Sequence, residues 1–84
     1  MEVTVYTLPN CLGCLHMKSL LNRASGVNWS EQEIGTDISK EDFDAQHPGV
    51  QQTPYTVIDG EPYDNIVKVA RKLLAEGLVT APTE

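Results

Sequence analysis

Positive charge is scarce in this 84-residue chain: six Lys and Arg stand against twelve Asp and Glu, a net charge of −6. Without a basic stripe to neutralise phosphates, nucleic acid is disfavoured as a partner, and an anionic membrane surface would repel the chain. Long apolar runs are missing as well. Nothing approaches the ~20 residues that span a bilayer, and Met1-Glu2-Val3-Thr4-Val5 has neither the basic nor the apolar region of a signal peptide. Together these absences predict a soluble, cytoplasmic, globular protein that uses neither membrane nor nucleic acid. Cysteine is the other scarcity. Two cysteines are too few for a disulfide scaffold, and a crosslink between Cys11 and Cys14 would close too small a loop to constrain the unfolded chain much. A structural use for the pair is weak, which leaves chemistry. The length allows one core, expected over residues 1–78, with 79–84 a frayed tail.

Hydrophobic periodicity organises what is present. Val3 to Leu8 reads as a strand with Val3, Val5 and Thr7 on one face and Thr4, Tyr6 and Leu8 on the other. From Cys14 the period lengthens: Cys14, Met17, Leu20, Leu21 and Ala24 fall on one helical stripe, stopped by Ser25-Gly26. Val27 to Ile34 is a second strand with a polar end. Ser39 opens a short helix from Lys40 to Gln46 that buries Phe43 and is broken at His47-Pro48-Gly49. Tyr55 to Ile58 is a strand, Asp59-Gly60 a type I′ hairpin turn, and Glu61-Pro62-Tyr63 an edge strand, since Pro62 cannot donate to a ladder. Asp64 is expected to cap a last helix with the stripe Ile66, Val69, Ala70, Leu73 and Leu74, closed by Gly77. The order β-α-β-α-β-β-α describes an α/β fold: a four-stranded mixed sheet with three helices covering both faces.

Cys11-Leu12-Gly13-Cys14 lies where the first strand ends and the first helix begins. Free amides and the macrodipole at a helix N-terminus favour a thiolate on Cys11, while Cys14 sits one turn deeper and is more shielded. The dipole contributes ~0.3–2 kcal/mol, which takes a thiol from about 8.5 to roughly 7–8 at 1.36 kcal/mol per unit. That is near the optimum for thiol–disulfide exchange. Two intervening residues let Cys14 reach and resolve a mixed disulfide on Cys11. The same pair is half of a zinc site, but zinc wants four ligands, and His16, expected on the solvated helix surface, and the solitary His47 complete it poorly. Lys18 is expected to be a surface cation that could lower a thiol pKa slightly. Thr53-Pro54, just before the third strand, reads by itself as an ordinary strand entry, because X-Pro bonds are cis in only ~5–6% of folded cases.

Taken together, Val3-Thr4-Val5-Tyr6-Thr7 leading into Cys11-Leu12-Gly13-Cys14, then Gly49-Val50-Gln51-Gln52-Thr53-Pro54, then Val57-Ile58-Asp59-Gly60, resemble the glutaredoxin-like proteins of the thioredoxin superfamily. The resemblance spans residues 1 to about 77 and implies a thioredoxin fold. It implies that Cys11 is the nucleophile, Cys14 the resolving thiol and Pro54 a cis residue beside them. The Thr53 backbone would offer hydrogen bonds to an incoming thiol peptide. Leu12, Gly13, Gln52, Thr53 and Pro54 then form an uncharged substrate-binding rim, with Asp64 near a second substrate group and Gly13 small enough to admit a partner backbone.

Departures from that pattern bear on the electron donor. Leu8 stands where glutathione-using glutaredoxins carry a lysine, Leu12-Gly13 replaces their Pro-Tyr, and Glu61-Pro62-Tyr63-Asp64 lacks their Gly-Gly pair. The chain is also similar to the NrdH-type redoxins, which draw electrons from thioredoxin reductase and supply ribonucleotide reductase, although their C-terminal aromatic-Ser-Gly-Phe segment is absent. The expectation is a monomeric dithiol–disulfide oxidoreductase with no tightly bound cofactor and no metal. It would act on protein disulfides, ribonucleotide reductase among the candidates, with reducing equivalents from thioredoxin reductase and NADPH in preference to glutathione. A thioredoxin-fold assembly module, in which redox activity is incidental, is the alternative. A cluster-transfer protein using Cys11 across a dimer is a third reading.

Overall fold

The computed structural model describes residues 1–50 and 52–79, so Gln51 and the expected tail from Thr80 onward lie outside the described residues. The elements follow the expected order: β1 (Glu2–Thr7), α1 (Leu12–Arg23), β2 (Asn28–Glu33), α2 (Lys40–Gln46), β3 (Tyr55–Ile58), β4 (Glu61–Tyr63) and α3 (Ile66–Ala75). They build a four-stranded sheet in the order β2-β1-β3-β4. The β1–β2 pair is parallel, and the β1–β3 and β3–β4 pairs are antiparallel. Pro62 accordingly lies in an edge strand.

Alternation along β1 divides the interior in two. Val3 and Val5 turn to one face, where they pack with Met17, Leu20 and Leu21 of α1, Ile58 of β3, and Val69 and Leu73 of α3. Tyr6 turns to the other and packs with Ile34, Phe43 and Tyr55. A one-residue slip of β1 would exchange these sets, so the pattern fixes the register. Each fully buried side chain of this size contributes about 1.5–3 kcal/mol.

Local chemistry sets the element ends. Ser39 Oγ accepts from the Asp42 N–H at 3.0 Å and starts α2. Asp59 and Gly60 both take positive φ, 48° and 86°, in the hairpin turn as a type I′ geometry requires. For α3 the expectations need two corrections. Asn65, not Asp64, caps the helix: its Oδ1 accepts from the Lys68 N–H at 2.9 Å. Asp64 stands one residue too early for that bond and instead pairs with Lys68 Nζ at 2.8 Å. Leu74 is 42% exposed and lies outside the core, whereas Leu78 packs against the core. The chain turns back at Gly77 (φ 72°), with Gly77 N–H donating to Leu74 O and Leu78 N–H to Leu73 O. This Schellman arrangement brings Leu78 onto the core. Val79 packs there as well.

Candidate active site

Cys11 is the N-cap of α1, in extended conformation, and its Sγ accepts the Cys14 backbone N–H at 3.1 Å. Leu15 N–H then donates to Cys11 O at 3.2 Å. No acidic residue occupies the first turn of the helix, so nothing there opposes the macrodipole's preference for negative charge on Cys11. Burial separates the two sulfurs. Cys14 is 2% exposed, whereas Cys11 is half-buried at the rim. They are joined as a disulfide, with their Cα atoms 5.2 Å apart.

The loop entering β3 forms the opposite wall. The Thr53–Pro54 peptide bond is cis, as the family resemblance implied and the dipeptide alone did not. Cys11 Sγ lies 3.9 Å from Thr53 O and 3.7 Å from Thr53 Oγ1. In the disulfide only the Thr53 hydroxyl can act as donor in this pair. Gly13 also meets this wall: a Cβ built on it would stand 3.2 Å from Pro54 Cδ. Its smallness lets the protein's own proline approach α1.

Two depressions flank this loop. One, of about 280 Å³, is mostly apolar and bounded by Leu8, Ile34, Phe43, Val50 and Thr53, with Lys40 and Gln52 at its edges. The other, of about 370 Å³, takes in Gln52, Tyr55, Asp64 and Lys68. Leu12, Gly13, Thr53 and Pro54 therefore gather near Cys11, Gln52 stands between the two depressions, and Asp64 belongs to the far one. The Lys68 hydrogen bond and charge hold the Asp64 carboxyl below its usual range.

The surroundings of three further residues come from the structure alone. Lys18 is not a free surface cation: it is bound to Glu31 at 3.2 Å, and Glu31 also accepts from Thr7 Oγ1 at 2.7 Å. The Thr7 hydroxyl first, and Lys18 after it, keep the Glu31 carboxyl below its ordinary value against the opposing effect of burial. His47 belongs to no group of three or more metal-ligating side chains among the described residues, and its ring packs on aromatics, 5.0 Å from that of Tyr6 and 5.1 Å from that of Tyr55. Lys40 was not picked out at all, yet α2 brings it to the same groove as Leu8, with its ammonium 2.7 and 2.8 Å from the Asp44 carboxylate oxygens. No local pattern marks it, because its proximity to Leu8 depends on how α2 packs. His16 is exposed on α1, as expected.

No protein-family model matches the chain, and no curated protein sequence matches it. Solved structures do. The chain is 26% identical to the thioredoxin-like protein BC3987, with a TM-score of 0.67 over 84% of this chain and 97% of that one. A point mutant of the same protein gives 26% identity and a TM-score of 0.68 over 86% and 97%. The fold is thioredoxin-like. With the Cys11–Cys14 pair at its α1 terminus, the likeness supports the thioredoxin superfamily and a possible redox role. Among the described residues no helix is long and apolar enough to cross a membrane.

Proposed function

We propose that the protein is a dithiol–disulfide oxidoreductase that reduces disulfides in partner proteins. The observation that carries this reading is the disulfide itself: one sulfur at the rim, one beneath it, both at an uncompensated helix N-terminus. In the reduced form the Cys11 thiolate attacks a partner disulfide, forms a mixed disulfide, and expels one partner thiolate, which takes a proton from solvent. Cys14, losing its proton, then attacks Cys11 Sγ and expels the second partner thiol. Two electrons pass to the partner, and the Cys11–Cys14 disulfide is left. Cys14 N–H and Thr53 Oγ1–H are the donors available to negative charge on Cys11. Leu12, Gly13, Thr53 and Pro54 form the rim that meets the partner, with Gln52 beside them.

The subtype we favour is an NrdH-like redoxin rather than a glutathione-using glutaredoxin, with thioredoxin reductase and NADPH as donor. Glutathione carries two carboxylates whose desolvation a site must offset with cations or fixed donors. Leu8, 44% exposed, supplies none, and Lys40 beside it is matched by Asp44. Each missing charge-assisted hydrogen bond costs about 1.5–3 kcal/mol, or tenfold to over a hundredfold in affinity. The test follows NADPH oxidation during reduction of a protein disulfide, with thioredoxin reductase in one arm and glutathione plus its reductase in the other. Faster turnover with thioredoxin reductase is expected, and Leu8→Lys should raise the glutathione rate selectively. Equal efficiency with glutathione in the unmutated protein would return the chain to the glutaredoxins, and no turnover in either arm would favour an assembly module.

A further inference from the structure

Of the five large apolar side chains exposed among the described residues, Leu8, Leu12 and Leu15 stand around the disulfide, 44%, 67% and 58% exposed. Leu12 and Leu15 are neighbours at i, i+3 on α1. Leu8 and Leu15 line a cleft of about 300 Å³ that contains Cys11 and Cys14 and whose remaining wall includes Lys18, Glu31 and Glu33. An apolar patch at a reactive group is a contact surface looking for a complement.

Charge decides what complement fits. Lys18 is tied to Glu31, and Lys40, Lys68 and Lys72 are tied to their own carboxylates. Past the Lys18–Glu31 pair, Glu33 accepts from the Thr36 hydroxyl at 2.8 Å, and Asp37 accepts from the Glu33 N–H at 2.9 Å. Neither has a cation within ion-pair distance among the described residues. The cleft thus runs from exposed leucines, across the disulfide, to negative charge with no cation paired to it among the described residues.

We infer that the surface docks a protein segment whose reactive cysteine is flanked by an apolar residue and by lysine or arginine. The apolar residue covers the leucines and the cation lies along Glu33 and Asp37. This inference rests on the dithiol reading and names the partner class for it. Rim charges of this kind act mainly on the association rate and its salt dependence.

The experiment measures single-turnover reduction of three cyclic disulfide peptides by the pre-reduced protein. The peptides differ only beside one cysteine, carrying Leu and Lys, Leu and Glu, or Ser and Lys, and a small neutral aliphatic disulfide serves as reference. At low ionic strength the Leu–Lys peptide is expected to react about tenfold faster than the Leu–Glu peptide, with the gap closing at high salt. Glu33→Gln should narrow that gap, and Leu15→Ser should erase the advantage of Leu–Lys over Ser–Lys. Equal rates for the Lys and Glu peptides at low ionic strength would overturn the inference while leaving the dithiol reading intact. Failure to reduce any peptide or the reference disulfide would overturn the dithiol reading, and the inference with it.

Discussion

The two faces of the sheet are built differently. One is aliphatic and covered by two helices: Met17, Leu21, Val69 and Leu73, with Val5 beneath them, are at most 1% exposed. The other is aromatic and lies under a single seven-residue helix, with Tyr6, Phe43 and Tyr55 at its centre and the His47 ring against them. The cysteine helix packs on the first face, and the Thr53–Pro54 wall and both flanking depressions belong with the second. The cysteine pair thereby sits at the end of a helix anchored on the more deeply buried face, and the flanking grooves border the thinner one. A rigid helix end suits sulfurs that must keep a fixed separation, and grooves need a layer that does not close over them.

The sharpest way to break this division is at the sulfurs. Cys11→Ser should abolish disulfide reduction, because Cys14 is too deeply buried to meet an external disulfide. Cys14→Ser should still attack and then accumulate a mixed disulfide with its target, visible by mass spectrometry. The Cys11 thiol of Cys14→Ser should be alkylated faster than the Cys14 thiol of Cys11→Ser. If Cys14 is instead the more readily alkylated thiol in the reduced protein, the two roles are reversed.

A second pair of substitutions separates the faces themselves. Leu73→Ala should cost about 2–5 kcal/mol in urea unfolding, as closed aliphatic sites relax poorly around a cavity, with activity per folded molecule unchanged. Phe43→Leu should cost less stability, but it should raise KM for protein disulfides, because Phe43 lines the groove beside Thr53. Equal effects of the two on KM would remove the distinction between the faces.

How much of this was legible in sequence follows from the range of each signal. Helix α1, its buried stripe, the Asp59-Gly60 turn and the edge position of Pro62 are encoded by residues close together in the chain, and the structure has them where the pattern puts them. The capping of α3 was misread by one residue, because Asp64 and Asn65 are both able caps and only backbone geometry chooses between them. Lys40 in the groove and Glu31 on Lys18 were invisible for a different reason, and Pro54 against Gly13 was approached only through the family resemblance. Each joins residues 13 or more positions apart, and no local period reports such a meeting.

The contact between the two walls can be probed at Gly13. Alanine there gains about 1 kcal/mol of helix propensity, but its Cβ meets Pro54 Cδ at 3.2 Å, so the proline must move by a few tenths of an ångström. Stability should change by less than about 1 kcal/mol, while reduction of a protein disulfide should slow severalfold. Unchanged kinetics would show that the spacing between the walls is not critical.

Glu31 offers a pH-dependent test. Its folded pKa is depressed, chiefly by the Thr7 hydroxyl and then by Lys18. A depressed carboxyl stabilises the fold above its unfolded value, and that contribution is lost as pH falls toward the folded one. Stability measured downward from about pH 5 should therefore decline less steeply in Glu31→Gln than in the unmutated protein. Parallel acid limbs would mean that the ion pair contributes nothing measurable, as many half-exposed pairs do.

The smallest expected effect concerns a discordant atom in the aliphatic layer. Thr56 is fully buried on β3, across from Val5 of β1, and its hydroxyl has no hydrogen-bond partner among the described residues. Period-2 alternation places it on the same face as Ile58. Desolvating a hydroxyl without a partner costs about 1–3 kcal/mol, and replacement by an apolar group of the same shape removes that cost. Thr56→Val should therefore be neutral to stabilising by up to about 1 kcal/mol, which corresponds to a Tm rise of about 4–8 °C per kcal/mol in a domain of this size. Its redox kinetics should match those of the unmutated protein, because Thr56 faces the closed layer. A fall in Tm would show that the hydroxyl is satisfied in solution, and that the aliphatic face is less dry than its packing implies.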